Sequence, residues 1–137
     1  MEETISASGH ENVTAAHAST VEVTTDDFLT PAGDCIVGVE APRAAEDFDA
    51  DFVTACQDAD ATITATFAAG GHEDRLTARG DPNLTFESER SVVVRTSDYV
   101  DDRTVAVGAD GAAADLDRDL VAALADGAEL TLTLRVA

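Results

Sequence analysis

Apolar and polar positions alternate in several stretches of this chain, and they set its order of elements. From Val13 to Thr24, Val13, Ala15, His17, Ser19, Val21 and Val23 share one side of an extended backbone. Thr14, Ala16, Ala18, Thr20, Glu22 and Thr24 share the other. The valines make the first side the core side, so His17 is read as pointing inward on a long strand. Residues 61–67 alternate with Ile63, Ala65 and Phe67 inward, and residues 128–136 with Leu130, Leu132, Leu134 and Val136 inward. Shorter runs at 4–8, 35–41, 75–79, 84–86, 91–95 and 104–107 predict further strands, and Gly70-Gly71 predicts a hairpin. Two stretches change to the helical period. Pro42 opens a predicted helix over 42–58, with Phe48, Phe52 and Cys56 on one face. Asp110 caps a second, which carries Ala113, Leu116, Leu120 and Leu124 and ends at Gly127. Short helical turns are expected at 25–31 and 96–100, and tight turns at 9–12, 32–34 and 80–83.

The two halves then have the same order. A slide of 71 sets 7–29 on 78–100 without a gap, with Ala7, Gly9, Asn12, Thr14, Val21, Val23, Thr25 and Asp27 meeting identical residues. A slide of 68 sets 37–60 on 105–128. This self-similarity reads as an internal duplication. The expected fold is α+β and β-rich: one domain over 1–137, made of two tandem β-β-α-β repeats (about 4–69 and 74–137). The halves would interlock as a pseudo-twofold barrel or curved sandwich with two outer helices.

Charge changes the picture of the surface. There are 28 acids against 8 bases, every base is an arginine, and the net charge is −20. A chain so acidic and so poor in aromatics can be disordered, but 45 % of its residues are hydrophobic and periodically placed, which predicts a folded protein. Molar salt shrinks the Debye length to roughly 3 Å and suppresses the self-repulsion. The composition therefore points to a high-salt cytoplasm. It argues against a broad DNA-backbone footprint, since few cations are available to displace counterions. Two cysteines and no secretory leader point to a reducing compartment, and no apolar run approaches the roughly 20 residues of a membrane span.

Particular segments carry a family likeness. They are Gly9-His10-x-Asn12-Val13, His17-x-x-Thr20-x-Glu22-Val23-Thr24, Leu29-Thr30-Pro31-x-Gly33-Asp34-Cys35-Ile36-Val37-Gly38-Val39 and Val92-Val93-Val94-Arg95-x-Ser97-Asp98. Arg103-Thr104 and Asp115-Leu116-x-Arg118-x-Leu120-Val121 extend the pattern. Over nearly its whole length the chain resembles the archaeal family called domain of unknown function 371. The resemblance implies an archaeal cytosolic protein, and the acidity narrows that to a haloarchaeon. It brings no established activity. It also implies a Gly-His-Pro turn in the second half, where this chain has Gly80-Asp81-Pro82.

Duplication offers a way to sort candidate site residues. Gly9/Gly80, Asn12/Asn83 and Asp27/Asp98 are shared, which suits turn scaffolding; His10/Asp81, His17/Ser88 and Thr24/Arg95 differ, and are freer to serve a site. His10, His17, Asp34 and Cys35 form the sharpest group, as a general acid or base with its neighbours. A zinc site drawn from His10, His17 and Cys35 is the cofactor this group would take, although no CxxC or HxxxH spacing supports it. Arg95, Ser97 and Arg103, with Arg90 close by, would clamp a phosphate or carboxylate. No phosphate loop, dinucleotide turn or Gly-x-Ser-x-Gly elbow is present. The expected function is binding or conversion of a small anionic, phosphorylated molecule. The alternative is a non-catalytic module that binds protein or structured RNA.

Overall fold

A computed structural model describes residues 1–137. Strict alternation becomes strand where the segment finds a neighbouring strand to pair with. β1 (Glu2–Ser8), β4 (Thr62–Ala69), β5 (His72–Arg79) and β8 (Glu129–Val136) form an antiparallel sheet in the order β1-β8-β4-β5. The Gly70-Gly71 hairpin joins β4 to β5, with φ of 58° and 82°, a left-handed region open to glycine. β2 (Thr20–Thr24), β3 (Ile36–Gly38), β6 (Ser91–Arg95) and β7 (Thr104–Ala106) form the second sheet, in the order β3-β2-β6-β7. Its two central strands run antiparallel, and each takes a short parallel neighbour with a shift of register.

Both sheets contribute to one core. Ile5, Phe67, Leu130, Leu132 and Leu134 come from the first, Val21, Val23, Val92 and Val94 from the second. A single bridge ties the sheets at each of two corners, Ser8 to Val39 and Arg79 to Val107. The architecture is therefore mixed α+β, strand-rich, with two sheets and two helices. The barrel alternative is corrected: the sheets stay separate and do not close. No helix is long and apolar enough to cross a membrane.

Several expectations fail where the backbone finds hydrogen-bond partners that local periodicity does not anticipate. The run from Val13 to Ser19 alternates but is not strand. Ala15 sits at φ 47°, and the N–H groups of Ala16 and His17 both donate to the Asp34 carbonyl, so no ladder can form. The predicted helix over 42–58 breaks in two. Residues Ala45–Asp47 make one 3-10 turn, and Phe48 is extended at φ −72°, ψ 148°. Asp49 then caps α1 (Ala50–Cys56) by accepting the Asp51 N–H. The second predicted helix divides likewise, with Leu116 extended and Asp117 capping α2 (Arg118–Ala125). Phe48 still packs on Phe52 and Phe86, with ring centroids 5.7 and 5.9 Å away, so the apolar spacing marked the core correctly and the helix start wrongly. No helical turn forms at 25–31 or 96–100. There the backbone pairs across the sheet instead, Thr25 N–H to the Arg90 carbonyl and Thr96 N–H to the Ser19 carbonyl.

Candidate functional site

Of the residues singled out in the sequence, His17, Asp34, Cys35, Arg95, Ser97 and Arg103 lie on the β3-β2-β6-β7 sheet and its loops, whereas the His10 turn is bonded to Leu124 at the end of α2. Both histidines close turns. His10 Nδ1 accepts the N–H of Asn12 at 3.0 Å, and the Asn12 amide crosses to the Leu29 carbonyl at 2.8 Å. His17 Nδ1 accepts the N–H groups of Ser19 and Thr20 at 3.2 and 3.1 Å. A ring nitrogen facing two backbone donors carries no proton, so the neutral His17 ring holds its proton on Nε2. The aligned residues of the second half do the same work. Asp81 Oδ1 accepts the N–H of Asn83, and Ser88 Oγ accepts those of Arg90 and Ser91. Difference in residue type between the halves thus goes with identity of hydrogen-bond role. His17 is half-buried in a loop, rather than inward on a strand.

Asp34 meets this loop through its carbonyl oxygen. Cys35 Sγ lies 3.7 Å from Glu22 Oε1. Burial, and then the Glu22 charge, push the Cys35 thiol above its ordinary value, which leaves it a poor nucleophile near neutral pH. Burial takes Cys56 up to about 12. The expected zinc set is not assembled: the ligand atoms of His10, His17 and Cys35 do not converge. The group that brings three such atoms within 4.8 Å of one another is His72, Asp117 and Asp119, all exposed, at the hairpin and the start of α2.

Arg95 and Arg103 are held internally. Arg95 is 8 % exposed; its Nε donates to Thr104 Oγ1 at 2.8 Å, its Nη2 to Asp101 Oδ2 at 2.9 Å, and its guanidinium lies 4.9 Å from the centroid of the Tyr99 ring. Arg103 shares the same Asp101 oxygen at 3.3 Å and reaches Glu22 at 3.7 Å. Burial alone would raise the Asp101 carboxyl. The Thr104 hydroxyl, Arg95 and Arg103 together outweigh it and hold the group below the usual carboxylate range. Ser97 is exposed, and its Oγ accepts the Tyr99 N–H at 3.4 Å. Arg103 alone of these three lines the nearby concavity of about 540 Å³, where Glu22, Asp26, Glu87, Glu89 and Asp102 outnumber Arg90 and Arg103.

The open face of the other sheet was not singled out in the sequence. Residues directly opposite in antiparallel strands share a face, so the register defines it. Thr4, Thr133, Thr66 and Arg75 form one row across the four strands, and Glu2, Arg135, Thr64 and Thr77 the next. Over all four strands the outward residues are threonines and serines, one alanine, three glutamates and three arginines. The face is charge-balanced, so the net −20 of the chain resides elsewhere. A trough of about 460 Å³ lies on it, lined by Glu2, Thr64, Thr66, Arg75, Thr133, Arg135 and Ala137. Arg43, Arg79, Arg90, Arg95 and Arg103 have ion pairs, and Arg118 donates to three carbonyls. Arg75 has only a long, exposed contact with Glu73, at 3.8 Å. Arg135 is the guanidinium left with no partner. One signal was available in the sequence: the outward positions between Leu130, Leu132 and Leu134 are Thr131 and Thr133, then Arg135, with no acid among them.

Residues 5–137 match the family model described as domain of unknown function 371. An uncharacterised protein of the archaeon Methanocaldococcus jannaschii is 35 % identical over 136 residues, which cover 99 % of this chain and all of that relative. With its core strands, both histidine turns and the arginine network inside the matched span, the chain belongs to the domain of unknown function 371 family, a family with an archaeal member in Methanocaldococcus.

Proposed function

We propose that this protein is a binding module for a small oxyanion, a phosphate or phosphate ester, held in the threonine-lined trough by Arg135 and Arg75. The observation that carries this is Arg135, an arginine without a partner in a chain that has 28 acids. Guanidinium groups in acidic proteins ordinarily find carboxylates, as Arg90, Arg95 and Arg103 do here. Arg135 stands instead among hydroxyls, which can donate to an oxyanion and do not repel it, while Glu2, opposite it in the row, forms no ion pair with it. The anion expected from the sequence is kept, and the clamp moves from Arg95 and Arg103 to another face. No aromatic ring lies among the outward residues of this sheet, so base stacking has no platform and a compact phosphate suits it better than an RNA strand. Chemistry at His10, His17, Asp34 and Cys35 receives less support, because both Nδ1 atoms are engaged and the thiol is held protonated.

Calorimetric titration with inorganic phosphate and with a phosphomonoester, in molar KCl, tests the reading. Saturable binding is expected, about tenfold weaker in Arg135→Gln, the loss of roughly 1.4 kcal/mol of charge-assisted hydrogen bonding. Arg95→Gln should leave affinity unchanged. No saturable heat, or equal binding by Arg135→Gln, would sink the proposal.

Two further readings belong with it. A haloarchaeal, cytoplasmic setting is supported by the acid excess and the complete absence of lysine. An internal duplication is supported by paired hydrogen bonds: Ser8 to Val39 with Arg79 to Val107, and His10 to Leu124 with Asp81 to Cys56. Ala15 and Phe86, aligned by the same slide, both have positive φ, at 47° and 51°.

A further inference from the structure

The concavity on the outer side of the β3-β2-β6-β7 sheet has the opposite character. Glu22 lies in it, 8 % exposed, yet its carboxylate accepts no hydrogen bond from nitrogen or a hydroxyl. Oε1 touches the Cys35 thiol and Arg103, each at 3.7 Å, and Oε2 has no partner at all. No side-chain oxygen of the protein is both sealed from solvent and unsatisfied, so Oε2 opens onto the concavity. A carboxylate taken this far out of water without strong donors is a costly arrangement, which a cationic guest relieves. Asp26, Glu87, Glu89 and Asp102 line the same space, and its two arginines already have carboxylate partners.

A second observation is independent of charge. Phe48, Phe52, Phe67 and Phe86 are buried, whereas Phe28 and Tyr99 are 56 % and 59 % exposed. These two rings occupy aligned positions, 71 residues apart, on the loops that leave β2 and β6. Both loops adjoin the concavity, Phe28 two residues after its Asp26 and Tyr99 three before its Asp102. The Phe28 ring makes no aromatic or cation contact within the fold. The Arg95 guanidinium already stacks on Tyr99 from within, and one face of a ring so used leaves the other for a second cation.

We infer that this side of the molecule docks a basic, arginine-bearing segment of a partner protein, one guanidinium entering beside Glu22 and its neighbours lying against Phe28 and Tyr99. The carboxylates argue against a nucleic acid here. Rings flanking a carboxylate cluster favour guanidinium over a bare metal ion, whose three closely spaced donors this concavity lacks. The inference is independent of the phosphate trough, which lies on the other sheet.

Tyr99 makes the test direct, because it is the single tyrosine of a chain without tryptophan. A blocked tetra-arginine peptide titrated in molar KCl should change the tyrosine emission saturably. Phe28→Ser, at an exposed position, and Glu22→Gln should each weaken binding about tenfold, the scale of one desolvated cation contact. Arg135→Gln on the opposite face should bind as wild type does. A flat titration overturns the inference, as does an affinity unmoved by Phe28→Ser. Equal affinity for spermidine would also overturn it, since that outcome describes a site for small cations and not a protein-docking surface.

Discussion

His17 shows how one side chain can be legible in the sequence and still be misread. Its place amid alternating valines marked it as inward, and its absence from the second half marked it as a site residue. The structure gives it the task that Ser88 performs at the aligned position, a single acceptor closing a turn for two N–H groups. Residue type differs because many acceptors of similar reach satisfy the same pair of donors. A definite outcome follows. His17→Ala should cost about 1 kcal/mol, the usual loss of a capping acceptor, while His17→Ser should restore most of it. Chemical denaturation of both variants in molar KCl measures the difference, and equal destabilisation would show that ring packing, not the acceptor, is what matters.

Among the elements, the two short edge strands are the weakest joined, because each has three residues and a shifted register. At one edge the Asp101 network supplies the tie: Arg95 on β6 donates to Thr104 on β7, and both bond Asp101. The folded-state carboxyl of Asp101 is held below its unfolded value of about 3.9. Its stabilisation is therefore complete above that pH and disappears as pH falls through the lower, folded value. Asp101→Asn should reduce stability at pH 7, and the gap from wild type should close on acidification below about pH 4. Acid titrations followed by circular dichroism at constant salt check this; a gap independent of pH would assign the effect to geometry and not to charge. The edge of β3 has no such tie. Gly33 accepts the Ile36 N–H there as Asp101 accepts the Thr104 N–H, and it brings no carboxylate; Cys35 and Glu22 make the side-chain contact instead.

At the scale of the molecule, charge is distributed by face. The β1-β8-β4-β5 sheet turns a hydroxyl-rich, neutral surface outward, and the other side carries carboxylates around two exposed rings. A chain of net charge −20 in 137 residues repels itself at low ionic strength. Far-UV circular dichroism should show folded strand signal in molar KCl and its loss in millimolar KCl. A spectrum unchanged between the two would remove the high-salt reading, though it would leave both binding proposals untouched.

Local sequence signals determined much of this protein. The four long strands, the core leucines and valines, the Gly70-Gly71 hairpin, the Gly127 stop and the family likeness were all legible, because each depends on residues close in the chain. The helices were half legible: Phe48, Phe52 and Cys56 were recognised as core, but the break at Phe48 depends on Asp47 and Asp49 competing for backbone donors. What only the tertiary structure decided is which polar groups satisfy one another. Arg95 and Arg103 resemble an anion clamp until Asp101 is brought between them, and Arg135 resembles any strand arginine until four strands place it among threonines, opposite Glu2 but forming no ion pair with it. Alternation tells which way a side chain faces, but the neighbours across the sheet, which set its charge environment, come from residues up to about 130 positions away.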